Sequence, residues 1–75
     1  MDKVAELVER GKSMLEEGSY FEALTQFENA IKENDKDPDL WNLKGVALRS
    51  MGRYEEAREC FNKSLQLDPR DKMAS

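Results

Sequence analysis

Residues 41–61 read WNLKGVALRSMGRYEEARECF, and the spacing of apolar and small residues in this stretch decides the fold. Trp41, Gly45, Leu48 and Met51 recur at steps of three and four, which places them on one face of a helix. Gly52 interrupts the run where a left-handed residue suits a helix end. After Arg53 the helical period restarts with Tyr54, Ala57, Phe61 and Leu65, and Pro69 closes the unit. The reading is helix, tight turn, helix. No strand-like alternation of polar and apolar residues occurs anywhere in the chain.

The same unit occurs earlier. A shift of 34 residues lays residues 4–37 on residues 38–71 and matches Gly11 with Gly45, Gly18 with Gly52, Tyr20 with Tyr54, Glu22 with Glu56, Ala23 with Ala57, Phe27 with Phe61 and Asp37 with Asp71. Pairs of similar character follow suit: Leu7 with Trp41, Arg10 with Lys44, Ile31 with Leu65. The expectation is an all-α chain of four antiparallel helices in two hairpins, with repeat one at 4–37 and repeat two at 38–71. Residues 72–75 are then a tail, or the start of a truncated third repeat. Gly11 and Gly45 fall in mid-helix, where glycine costs about 1 kcal/mol relative to alanine. That cost is expected to reflect close approach of the partner helix, with Ala23 and Ala57 as the opposing small residues.

With these residues in place, the chain resembles the tetratricopeptide repeat family. Trp41 to Leu48 follow W-x2-L-G-x2-Y, Ala57 and Phe61 follow A-x3-F, Ala23 and Phe27 do the same, and Pro69 stands at the closing proline. The departures are Arg10 and Lys44 at the leucine before each glycine, Met14 and Leu48 at the tyrosine, and Asp35 at the first closing proline. The resemblance implies a short right-handed solenoid. No C-terminal capping helix is expected within these residues.

Composition narrows the function classes. The formal charge is −4 and the sequence pI about 4.8, against a nucleic-acid binder, which needs a basic face. Histidine is absent and Cys60 is the one cysteine, so a disulfide within the chain and histidine-based catalysis or zinc binding are excluded. No run approaches the roughly 18 apolar residues of a membrane span, and MDKVAELVER has no apolar signal-peptide core. A soluble, cytoplasmic chain without a membrane partner is expected. The 37% of charged residues are expected to coat the helices with ion pairs.

The stretch 34–39, NDKDPD, resembles the start of a calcium loop, with Asp35, Asp37 and Asp39 at alternate positions. Such a loop needs glycine at its sixth place and a bidentate glutamate at its twelfth, which here are Leu40 and Val46. The better reading is a junction between helices. Pro38 suits a first helical turn, Asp37 can cap that helix, and Asp39 favours its positive end. No metal site, catalytic group or cofactor site is therefore assigned. Cys60 lacks any base to activate it, and Glu16–Glu17 and Glu55–Glu56 are adjacent residues that diverge on a helix. The chain is not expected to be an enzyme.

The resemblance also implies where a partner binds. In this family the first helices of successive repeats line a concave groove that takes extended peptides. The matching positions are Ala5, Val8, Lys12, Leu15 and Glu16 in the first repeat and Asp39, Asn42, Val46, Arg49 and Ser50 in the second. The family's carboxylate clamp, which grips the acidic C-termini of Hsp70 and Hsp90, is not expected. Val8, Lys12, Leu43 and Met73 occupy four of its positions, and the fifth lies beyond residue 75. An alternative is self-association into a homo-oligomer through the uncapped end, around Cys60, Phe61, Leu65 and Leu67, or membership of a longer array. Two readings thus enter the structure: a protein- or peptide-binding adaptor or scaffold, and a self-associating helical module.

Overall fold

The computed structural model describes residues 2–68. Four helices follow in order: α1 (Lys3–Glu17), α2 (Tyr20–Glu33), α3 (Pro38–Ser50) and α4 (Tyr54–Leu67). Each packs against the next, so two helical hairpins lie side by side through α2 and α3. The all-α expectation holds across the described residues. The expected closure at Pro69, the tail at 72–75 and the missing cap lie outside them.

Both hairpin turns close in the same way. Gly18 and Gly52 hold φ of 84° and 80°, the left-handed region that costs an L side chain about 1–2 kcal/mol. The Ser19 amide donates to the Met14 carbonyl at 2.8 Å and the Gly18 amide to Leu15 at 3.1 Å. Arg53 and Gly52 repeat the pattern on Leu48 and Arg49 at 2.9 and 3.0 Å. These paired bonds satisfy carbonyls that the helix end would otherwise orphan. The reversal is short, and Tyr20 and Tyr54 each open the returning helix.

The NDKDPD stretch is spent on backbone. The Asn34 side chain accepts from the Lys36 amide at 3.1 Å, and Asp37 accepts from the Asp39 amide at 2.9 Å as the N-cap of α3. Pro38 takes the first helical turn, where a missing amide donor costs nothing. The Asp35 carbonyl accepts from the Trp41 indole at 2.9 Å. The Ser64 hydroxyl donates to the Pro38 carbonyl at 2.9 Å and ties α4 to the start of α3. Among the described residues no three acidic or thiol side chains converge as metal ligands would.

The core forms two adjoining clusters. Leu7, Ala30 and Leu40 join α1, α2 and α3, while Leu24, Phe27, Leu48, Ala57 and Cys60 join α2, α3 and α4. The middle helices contribute to both. At the mid-helix glycines the structure corrects one expectation. The groups that crowd Gly11 and Gly45 are the rings of Phe27 and Phe61, not the alanines. Ala23 and Ala57 are buried, but each lies one turn earlier on its helix than the ring that reaches the glycine.

Candidate functional site

α1 and α3 are the first helices of the two hairpins, and a groove of about 430 Å³ opens between them. Its volume falls within the range of ordinary ligand clefts. From α1 come Val4, Ala5, Val8, Glu9 and Lys12, and from α3 Asp39, Leu40, Asn42 and Leu43, with the caps Asp2 and Asp37 at one end. Both helices begin at that end. Asp2 accepts from the Val4 amide at 3.0 Å just as Asp37 accepts from Asp39. From Ala5 to Lys12 the groove runs roughly 10 Å along α1, the length of about three extended residues.

Of the ten residues assigned to the concave face, Ala5, Val8, Lys12, Asp39 and Asn42 line this groove. The other five lie further along the same helices. Leu15 turns inward onto the core, and the Arg49 guanidinium stands 5.6 Å from the centre of the Phe61 ring, on the α4 side of α3. Val46 is half-buried, and Glu16 and Ser50 are exposed outside the groove. Glu9 and Leu43 are lining residues absent from that assignment. The 34-residue register pairs them with each other, next to the pair Val8 and Asn42, and that register was the signal available to find them.

The groove is unevenly charged. Its lining holds four acids, Asp2, Glu9, Asp37 and Asp39, and one base, Lys12. Among the described residues Glu9, Lys12 and Asp39 make no side-chain ion pair, whereas acids elsewhere do. Glu33 pairs with Lys3 at 3.8 Å and Glu28 with Lys44 at 3.5 Å. Arg53 grips both carboxylate oxygens of Glu56, one of them at 3.0 Å, which raises the guanidinium pKa and holds the Glu56 carboxyl below its usual range. On the far side of α3, toward α2 and α4, a smaller cavity of about 320 Å³ carries Glu28, Lys44, Arg53, Glu56, Glu59 and Lys63 around Trp41. Lys44 and Lys63 lie 5.5 and 5.9 Å from the indole ring. Charges there are largely matched.

The residues assigned to self-association separate in the structure. Leu65 is 39% exposed, and Phe61 and Leu67 are half-buried. Cys60 is only 5% exposed and belongs to the core cluster with Phe27 and Ala57, so it adds nothing to that surface. It stands three residues after Ala57, on the same inward stripe of α4. Burial pushes its thiol pKa up. A buried, protonated thiol is a poor nucleophile.

Comparison with known proteins follows the geometry. The tetratricopeptide repeat family model matches residues 38–71. An uncharacterised protein of Methanocaldococcus jannaschii is 42% identical over 79% of this chain and 69% of its own length. A TPR repeat-containing protein of Bacillus subtilis, YsoA, is 38% identical over 80% of this chain and 18% of its own. The chain belongs to the tetratricopeptide repeat family. The Hsp70-Hsp90 organising protein of Plasmodium falciparum is a further relative, 33% identical over 88% of this chain but 26% of its own length. The chain thus spans about a quarter or less of the latter two relatives. Tetratricopeptide membership points to protein–protein interaction. No helix among the described residues is long and apolar enough to cross a membrane.

Proposed function

We propose that this tetratricopeptide chain is a non-catalytic interaction module that holds an extended segment of a partner protein between α1 and α3. The observation that carries this reading is the open groove lined by both first helices, with Val8 and Leu43 offering apolar contact and Asn42 a polar side chain. An extended peptide keeps its backbone polar groups available, and side chains such as Asn42 can satisfy them. Val8 and Leu43 also occupy positions where the clamp of the family needs polar side chains. An acidic chaperone C-terminus would meet apolar side chains and surplus carboxylates there. The partner is therefore of a different kind. Amide shift mapping with short unstructured peptides tests the reading. Shifts at Ala5, Val8, Lys12, Asn42 and Leu43 are expected, and shifts confined to α2 and α4 would overturn it.

A second reading rests on a different surface. Leu65 is exposed and adjoins half-buried Phe61 on α4, which packs on α3 and leaves its outer side open among the described residues. Self-association through that side would cover them. Sedimentation equilibrium over a wide concentration range decides it: a dimer that Leu65→Glu dissociates supports this reading, and a monomer throughout removes it.

A further inference from the structure

We propose that the groove between α1 and α3 selects a segment in which lysine or arginine alternates with apolar residues. This inference rests on the groove being the binding site and adds the chemistry of its occupant. The groove is lined by four carboxylate residues, Asp2, Glu9, Asp37 and Asp39, and by one ammonium residue, Lys12. The N-termini of α1 and α3 contribute about half a positive charge each. That offsets roughly one of the three surplus negative charges, and the groove stays anionic.

Two of these acids already serve the fold, since Asp2 and Asp37 cap their helices. The other two, Glu9 and Asp39, cap no helix. Neither Glu9 nor Asp39 has an ion-pair partner among the described residues, although acids on the far side of α3 are paired with Lys44 and Arg53. The lining of the cleft thus carries four acids against one base, a local surplus of negative charge. Half-buried Val8 and Leu43 line the same groove and supply the apolar part of the recognition. A cationic segment gains at the rim and keeps its apolar side chains on the floor. An acidic segment would bring like charges together, a strong means of excluding wrong partners.

The test uses the whole chain and two fluorescein-labelled peptides of equal length, one alternating lysine and leucine and the other glutamate and leucine. Anisotropy titrations give affinity, and amide shifts give location. The lysine peptide is expected to bind with shifts on α1 and α3, more weakly as salt rises. Glu9→Gln combined with Asp39→Asn is expected to weaken it about tenfold, the loss of two exposed charge pairs within their usual range. Glu22→Gln with Glu55→Gln removes the same charge from exposed sites on α2 and α4 and is expected to change affinity less than about twofold. Equal losses in both double variants would reduce the binding to bulk charge and overturn the inference. Equal or tighter binding of the glutamate peptide, still with shifts on α1 and α3, would overturn the charge preference and leave the groove standing. Absence of shifts on α1 and α3 with either peptide would overturn both.

Discussion

The ring of Phe27 occupies the space in which any side chain at position 11 would have to stand. A Cβ built on Gly11 lies 2.7 Å from the Phe27 Cζ, and one built on Gly45 lies 2.8 Å from the Phe61 Cδ1. Phe27 is fully buried, while Phe61 is half-buried and has room to swing outward. Overpacking costs about 1–3 kcal/mol and alanine returns about 1 kcal/mol of helix propensity. Gly11→Ala is therefore expected to destabilise by up to about 2 kcal/mol, and Gly45→Ala by less. Urea denaturation of the two variants side by side checks the order. A larger loss at position 45 would contradict the account.

The caps of the two first helices differ in context. Asp37 caps α3, which packs against both α2 and α4, whereas Asp2 caps α1, which packs mainly against α2. Asp37→Ala is expected to cost about 1 kcal/mol, and Asp2→Ala clearly less. Thermal unfolding of both variants measures the difference, and equal shifts in Tm would count against it.

Cys60 is predicted to react slowly with a thiol reagent in the native state and rapidly in denaturant, because the thiol is buried and its pKa is raised above the ordinary 9.0. Raising a folded-state pKa leaves the stabilisation fully present below the unfolded value and removes it as pH climbs. Stability should therefore decline on the alkaline side of about pH 9.0, and Cys60→Ala should flatten that limb. Native reactivity equal to the unfolded rate would refute the burial.

Glu56 sets an acid limb of the opposite sign. Its carboxyl pKa is lowered from 4.5, first by the hydrogen bonds from Arg53, so its contribution is present above 4.5 and disappears as pH falls through the depressed value. Glu56→Gln is expected to make stability less sensitive to pH in that acid range. The pair is fully exposed, so the effect is small and should shrink in high salt. Urea midpoints at descending pH, with and without added salt, provide the measurement.

Much of the architecture was legible because it depends on local geometry. Gly18 and Gly52 mark the two places where the backbone must turn left-handed, and both turns form there. Leu7, Phe27, Leu48 and Ala57 fall on the stripes that the helical period assigns to the interior. Asp37 and Pro38 carry the signature of a helix start, and α3 starts there. Cys60 shows the limit. Residues 60 and 61 sit 100° apart on α4, and only the placement of α2 and α3 shows which of them is buried more deeply.

Taken alone, the amino-acid sequence determined the helix count, the two turns, the repeat register and the capping of α3. Each depends on backbone conformation and on periods within about four residues, which side-chain type dictates directly. Tertiary structure decided which ring fills the space beside each glycine, which five of ten candidate residues share a groove, and which acids remain unpaired. Those outcomes depend on distances between side chains from different helices. Such distances are set by how α1, α2, α3 and α4 pack, and periodicity along one helix does not contain them.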